Sequence, residues 1–378
     1  MTALGLVFSN IHDQNIPELT RMRTMASAPI GCRYRLIDFV LSNMVNSSIT
    51  KVGIITHNNY QSLLDHIGTG KDWDLARRSG GIKILPPYIA SFESAAANKL
   101  YTSRIEALAG ALHFLDRSSE DYVVLSDCDS IININLTDVL RYHEEKGADM
   151  TIVTKKIDVD ETELRQRSGI VSVNDEGRIT EVVTSNAITS GVQNVSTNIL
   201  VFTRTYLIFM IQDALAHGIS GSYNDLIDRN MFRANFFAYE YDGYFDQISS
   251  LPDYFSANMK LLDPEVRKAI FGAENRPVYT KVRNSAPTRY TGKSKVVNSL
   301  IGDGCVIEGT VENSIIFRGV KIGRGSVVRN CILMQDTVVG ENTELNCVVA
   351  DKNVLVKDDR TLSGHQSMPF FISKGKSI

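Results

Sequence analysis

The chain has 378 residues, 43% of them hydrophobic, with 40 Lys and Arg against 43 Asp and Glu, for a formal net charge of −3 at pH 7. That balance excludes general nucleic-acid affinity, which needs clustered Lys and Arg, and the length predicts two domains rather than one. No apolar stretch approaches membrane-spanning length, and the opening MTALGLVFSN has neither a basic region before a long apolar run nor a small-residue cleavage site. Five scattered cysteines (Cys32, Cys128, Cys305, Cys331, Cys347) lack metal-ligand spacing, and their odd number suggests reduced thiols. The expectation is a cytoplasmic protein without membrane or nucleic-acid partners.

The first 260 or so residues alternate apolar runs with helical patterns. Leu4–Phe8 reads as a buried strand, Asp38–Asn46 as a helix, and Val52–Ile55 as a second strand. Ser103–Leu115 then reads as a helix, Tyr122–Ser126 as a strand and Thr137–Lys146 as a helix. This alternation predicts parallel βαβ units with helices on both faces of the sheet. Ligands of such sheets sit beyond the carboxyl ends of the strands, so the loops after Phe8 and Leu125 frame the expected pocket.

After about Leu262 the period changes. A stretch with Pro264, Pro277 and Pro287 leads into a series at six-residue spacing: Ile301 and Ile307, then Ile316, Ile322, Val328 and Met334, then Val339 and Leu345 after a slip. Glycines recur beside it, as in Ile301-Gly302-Asp303-Gly304, Ile322-Gly323-Arg324-Gly325 and Val339-Gly340. The repeat predicts a triangular β-helix with one aliphatic side chain inside each short strand and Gly at the tight corners. A small β-sandwich is the alternative. The expected boundaries are 1–262 for an α/β domain, 263–292 for a linker and 293–378 for the β-helix.

Several strings narrow the class. Gly31-Cys32-Arg33-Tyr34-Arg35-Leu36-Ile37-Asp38-Phe39 followed by Leu41-Ser42-Asn43 resembles the G-G-[KR]-[YF]-R-I-I-D-F-x-L-S-N of bacterial ADP-glucose pyrophosphorylases, which are glucose-1-phosphate adenylyltransferases. His66-Ile67-Gly68, Trp73-Asp74-Leu75, Arg77-Arg78, Gly80-Gly81, Ile84–Tyr88 and Ala257-Asn258-Met259 match that family in order and spacing. The resemblance spans nearly the whole chain. It implies a Rossmann-like nucleotidyltransferase domain with a mostly parallel sheet, followed by a left-handed parallel β-helix of hexapeptide repeats. It also implies glycogen synthesis, in which ATP and glucose 1-phosphate give ADP-glucose and pyrophosphate.

The chemistry of that family is nevertheless missing. Nucleotidyl transfer needs close backbone N–H groups and cations on the triphosphate, carboxylates on Mg²⁺, and a cation on the sugar phosphate. The family's G-G-x-G-[ST]-R-L loop falls on Asn10-Ile11-His12-Asp13-Gln14-Asn15-Ile16. β-Branched Ile11 replaces a permissive Gly, Asn15 lacks the Arg charge, and Asp13 sets a carboxylate where a polyanion should lie. At ~4 Å such a repulsion is worth roughly 1–4 kcal/mol. Met25 stands at the family's lysine of K-P-A-V-P.

In the metal site, Asp127 or Asp129 of Ser126-Asp127-Cys128-Asp129 supplies one carboxylate, but Gln247 stands at the second metal position, with Asp246 adjacent. In the sugar-phosphate site, Ser185 replaces Lys and Thr184 replaces Glu, while the family's G-T-A-[DN]-A becomes Ser103-Arg104-Ile105-Glu106-Ala107. Three subsites are altered together. No catalytic residue is therefore expected, and Asn10, Ile11, Asp13, Asn15, Met25, Ser185 and Gln247 mark the losses.

Other residues keep two readings. Arg23 and Arg35 stand where the resembling enzymes contact anionic sugar-phosphate effectors; the alternative is a solvated basic face or salt bridges. Arg21 and Arg33 add charge nearby, while Met22 stands at the family's effector lysine. Asp127 and Asp129 are residual metal ligands or helix caps. Trp73, Arg77 and Arg78 form a ligand surface or a packed loop, and His12 and His365 are expected to be non-catalytic. The expectation is a regulatory, catalytically degenerate subunit that needs no cofactor, Mg²⁺ entering only with residual activity. Its partner would be a catalytic homologue in a mixed tetramer. The rival readings are an active adenylyltransferase with rearranged metal ligands and a sugar-phosphate sensor.

Overall fold

The apolar run after Thr2 forms β1 (Ala3–Phe8), buried from Leu4 onward. It lies between two parallel neighbours, β4 (Lys51–Ile55) and β6 (Tyr122–Asp127), with Phe8 level with Asp127 and with Ile55. The computed structural model describes residues 1–86, 101, 103–159, 169–184, 191–218, 227 and 229–378. Before β4 come α1 (Pro17–Thr20), the short β2 (Pro29–Ile30) and β3 (Tyr34–Arg35), and α2 (Leu36–Asn46). Helix α2 begins two residues before the expected start, because the Arg35 N–H donates to Asp38 Oδ2 at 2.9 Å and closes the first turn.

After β4 follow α3 (Gln61–Ile67) and β5 (Gly81–Leu85), which extends the parallel sheet beyond β4. Helix α4 (Arg104–Asp116) is capped by Ser103, which accepts from the Glu106 N–H, so its regular turns start one residue later than the pattern suggested. After β6 come β7 (Ser130–Ile132) and α5 (Leu136–Glu145). Next in the chain are β8 (Met150–Val159), β9 (Gly169–Val173), β10 (Ile179–Thr184) and the long β11 (Gly191–Thr203). Strand β11 runs antiparallel to β6 and to β8. Then come α6 (Arg204–Ala216), β12 (Phe236–Glu240), β13 (Phe245–Gln247), α7 (Leu251–Lys260) and α8 (Pro264–Phe271).

Two apolar clusters cover the two faces of this sheet. One gathers α4, α6 and side chains such as Leu4, Leu6 and Phe202; the other gathers α2, α5 and side chains such as Val7, Val52 and Val124. The alternation of Leu6 and Val7 between clusters is the period-two geometry of a strand covered on both sides.

The segment 263–292 opens with α8, and near its end Arg289–Tyr290 pairs in parallel with Val306–Ile307. From there three stacks of short parallel strands form the left-handed β-helix. Ile307, Ile322, Val339 and Val356 lie over one another on one side, and Val311, Val328 and Leu345 on the next. On the third side Ile316 is level with Leu333, whereas the six-residue count lands on Met334. The difference matters: Ile316, Leu333 and Ala350 fill the β-helix interior, while their neighbours Ile315, Ile332, Met334 and Val349 face outward and pack under the α/β domain. The third side is therefore apolar on both surfaces, and its outer surface joins the domains.

The corners also differ from expectation. Gly302, Gly323 and Gly340 do not occupy the left-handed region; a Cβ on Gly323 would sit 2.5 Å from the Gly340 carbonyl oxygen of the next coil. They are small because coils stack closely. The left-handed corners fall to Asn313, Asn330, Asp336, Asn342 and Asn353, with Gly304, Gly319 and Gly325. All five cysteines are unpaired and buried. Among the described residues no helix is long and apolar enough to cross a membrane.

Candidate functional site

The carboxyl ends of β1 and β6 deliver the expected pocket loops side by side. After Phe8 the chain turns through a short 3-10 segment, Asp13–Asn15, and returns through another, Met25–Ser27. After β6 it passes Asp127, Cys128 and Asp129 into β7. The antiparallel β7–β13 pair then sets Gln247 level with Ser130, beside Asp129.

This arrangement turns the two carboxylates toward the chain's own cations. His12 Nε2 lies 2.6 Å from Asp127 Oδ2 and 3.4 Å from Asp129 Oδ2. Arg104, in the first turn of α4, donates to the same Asp127 oxygen. Asp129 Oδ2 accepts from Asn198 Nδ2 at 2.9 Å and from Gln247 Nε2 at 2.8 Å. Both carboxylates are almost completely buried. Burial alone would depress the His12 pKa, but the Asp129 and Asp127 charges outweigh it and the net shift is upward. Burial would raise Asp127, yet Arg104 and His12 bring it below the usual carboxylate range. The group is a closed ion-pair network of the kind that low dielectric strengthens.

The loop residues are likewise engaged. Asn10 is buried and accepts from the Tyr101 hydroxyl at 3.1 Å. Ile11 packs against the core cluster of α4 and α6. Asp13 accepts from the Met25 N–H at 2.7 Å, and desolvation pushes its pKa up to about 7 despite that bond and His12. The full negative charge expected of Asp13 is thus only partly present near neutral pH. Met25 is buried in the interdomain cluster, and Asn15 is exposed. Asp246 pairs with Lys260 at 3.1 Å and accepts from Tyr244, away from the other carboxylates. Ser185 lies outside the described residues, as do Pro87 and Tyr88 of the family string.

Several double readings are decided. Asn135, whose side chain accepts from the Thr137 N–H, caps α5, so Asp127 and Asp129 are not its caps. Trp73 is buried edge-on against His66 with ring centroids 5.6 Å apart, and Arg77 pairs with Asp74: a packed loop rather than a ligand surface. Arg23 forms a buried ion pair. It is 2% exposed, and its Nη2 donates to Asp351 Oδ1 and Oδ2 of the β-helix at 2.7 and 2.8 Å.

Arg35 has a different setting. It donates through Nη1 to Ser62 Oγ at 3.0 Å and lines a pocket at the domain junction with Arg33, Lys281, Arg283, Arg318 and Lys352. Burial and the Arg35 and Arg23 charges lower the Lys352 pKa to about 7 against the opposing Asp351. Six cationic side chains in one concavity suit an anion. Lys281, Arg283, Arg318 and Lys352 come from the linker and the β-helix, remote in sequence from the Arg23–Arg35 segment that drew attention first. Arg318, a charge in a repeat otherwise set by apolar spacing, was the available signal.

A mostly parallel, two-face-covered sheet followed by a stacked hexapeptide β-helix defines a two-domain protein of the sugar-nucleotide transferase class. Residues 16–263 match the nucleotidyl transferase family and residues 285–367 match the C-terminal hexapeptide family of the GlmU type. The chain is 31% identical to glycogen biosynthesis protein GlgD of Bacillus subtilis (strain 168), over 98% of this chain and 96% of that one. It is also 31% identical to the glucose-1-phosphate adenylyltransferase of Bacillus thuringiensis (strain Al Hakam), over 95% and 94%. For that of Geobacillus stearothermophilus the figures are 32% over 86% and 83%. The chain belongs to this bacterial glucose-1-phosphate adenylyltransferase family. Equal identity to differently named relatives does not separate them, so the pocket residues must.

The residues present do not fit the Mg²⁺ that the family implies. That ion demands oxygen ligands in near-octahedral order, whereas Arg104 and His12 both sit on Asp127 Oδ2 and bring positive charge to the place a cation would take. Gln247 meets Asp129 with its amide N–H instead of adding a carboxylate.

Proposed function

We propose that this chain is a regulatory, catalytically degenerate subunit in glycogen biosynthesis, acting on a catalytic ADP-glucose pyrophosphorylase homologue in a mixed tetramer and requiring no cofactor of its own. One observation carries the reading: His12 and Arg104 hold the Asp127 carboxylate from positions 2.6 Å away and in direct contact. With those cations in place, Mg-ATP meets a filled pocket whose loop offers Ile11 and a half-ionised Asp13 in place of phosphate-binding backbone. The junction pocket supports the regulatory half of the reading, since an anionic sugar phosphate there would touch both domains at once. Regulation then follows from differential affinity of that anion, or of the partner subunit, for two arrangements of the assembly.

The test has two arms. The purified chain is assayed alone for Mg-dependent ADP-glucose formation, then co-expressed with a catalytic homologue and assayed again. Background turnover alone, with co-purification and a changed rate or effector response of the homologue, is expected. Robust turnover by the isolated chain would overturn the reading in favour of an active adenylyltransferase.

A further inference from the structure

Helix α6, with the sequence RTYLIFMIQDALA, is apolar nearly all round, the composition of a helix covered on every side. Its inner face meets the core, where Leu207, Met210, Ile211 and Ala214 are buried in the cluster shared with α4. Its outer face holds Thr205, Phe209, Gln212, Leu215 and Ala216, all exposed and spaced by three and four residues along one helical stripe. No charge interrupts that stripe, and Phe209 is 56% and Leu215 51% exposed. A further ring, Phe232, is 92% exposed in the turn after Met231, and Met231 packs in the same core cluster as Met210 and Ile211.

We infer that this face is an interface with a second copy of the same chain, packed about a two-fold axis. Two observations select that occupant, and the first is area. A stable interface of standard size takes about 800 Å² from each partner, somewhat over half of it apolar. At about 200 Å² for an aromatic side chain, Phe209 and Phe232 alone present roughly 300 Å². That is about two thirds of the apolar share of such a half-interface before Leu215 is counted. Scattered single apolar residues are ordinary on a surface; this much apolar area in one neighbourhood is not.

The second observation is charge. Phe232 is flanked by the exposed cations Arg229 and Arg233, while the α6 stripe runs beside Asp213, whose partner in the described ion pairs is the exposed His217. A two-fold contact is isologous, so whatever one copy sets against its partner is set back in return. Laying Phe232 of one copy against Phe209 and Leu215 of the other brings a basic rim to an acidic one twice over. The uncharged centre is left to be desolvated. A patch of a single sign would instead repel its own copy. The inference rests on this surface and not on the degeneracy of the pocket; within a mixed tetramer the contact joins the two copies of this chain.

Sedimentation velocity of the full-length chain across the micromolar range reads the mass of the particle. An assembly of at least two copies is expected. Phe209→Glu and Phe232→Glu should each halve its mass, raising the dissociation constant by at least about thirtyfold. Arg233→Glu and Asp213→Arg should each weaken association by about tenfold, and the two reversals together should restore it. Met368→Glu, at a position 79% exposed on the β-helix, should leave the mass unchanged. Thermal melting confirms that each variant is folded. A chain monomeric throughout overturns the inference, as does an assembly indifferent to Phe209→Glu and Phe232→Glu. Association with a catalytic homologue but never with itself overturns it too, as does a double reversal that restores nothing.

Discussion

Replacing Asp351 by Ala removes the only acid that meets Arg23 in the structure's described ion pairs, and it does so between the two domains. Both side chains are almost fully buried, and Asp351 also accepts from the Lys352 N–H at 2.7 Å. The variant leaves a guanidinium in the interior with Arg35 and Lys352 close enough to perturb one another electrostatically. Breaking one side of such a pair costs about 3–5 kcal/mol, whereas replacing both partners by apolar residues of similar volume is often neutral. Since 1 kcal/mol moves the midpoint of a domain of this size by roughly 2–4 °C, Asp351→Ala should lower the first thermal transition by about 6 °C or more. Calorimetry of Asp351→Leu, Arg23→Met and the double variant Arg23→Met/Asp351→Leu, beside Asp351→Ala, measures the coupling. The double variant should recover most of the loss. An Asp351→Ala midpoint within experimental error of the parent, or a double variant as unstable as the sum of the singles, would refute the claim that this pair fastens the β-helix to the α/β domain.

Three further outcomes follow from the charged groups. Asp13 has a folded pKa of about 7, above its ordinary value of 3.8, so its contribution is fully present below pH 4 and is lost as pH rises through 7. Asp13→Asn keeps an acceptor for the Met25 N–H and should remove that loss, stabilising the protein at pH 8 by about 1–2 kcal/mol after solvent screening; denaturant melts at pH 5 and pH 8 measure it. Lys352, lowered to about 7, must be protonated to hold an anion. Sulfate, whose charge is constant, should therefore bind more weakly as pH rises above 7, by at most about tenfold per unit, and Lys352→Met should flatten the profile in calorimetric titrations. Finally, Arg104→Ala/Gln247→Asp frees one carboxylate and restores the other. Its ADP-glucose formation should stay at background, because Asn10–Asn15 still offers the triphosphate no glycine backbone.

Strands and helices of the α/β domain were legible because Leu4–Phe8, Val52–Ile55 and Tyr122–Ser126 are apolar runs of strand length between amphipathic segments. The Asn10–Asn15 loop stood out only against the family string, which singled out Ile11, Asp13 and Gln247 as departures from it. What replaced the family's groups did not. His12 and Arg104 lie 92 residues apart in contact range of one another, and nothing in spacing alone says that both close on Asp127. The same limit applies to Arg23: its charge is visible in the sequence, while its burial against Asp351, 328 residues away, is a property of the domain junction. The β-helix shows a subtler failure. Counting by six picks Met334 for the interior, because the count ignores that Ile332-Leu333-Met334 presents apolar side chains both ways; an extra apolar pair on one side of a coil is the signature of a second surface to cover.

These particulars meet at the junction of the two domains. The segment from Arg23 to Met25 reaches the β-helix through Arg23–Asp351 and the relic loop through the Met25 N–H on Asp13. In place of the family's lysine, Met25 fills apolar space between the domains. Three of the positions that differ from the family strings carry side chains engaged with a neighbour: Met25 in the junction, Ile11 against the core, Gln247 on Asp129. Substitutions that merely decayed would leave buried carboxylates uncompensated, at several kcal/mol for each charge. Here Asp127 has two cations, and Asp129 takes two amides on Oδ2 while its Oδ1 stays without a partner. The charged groups around Asp127 close on one another, and the junction pocket lined by Arg35 and Lys352 stands apart from that network.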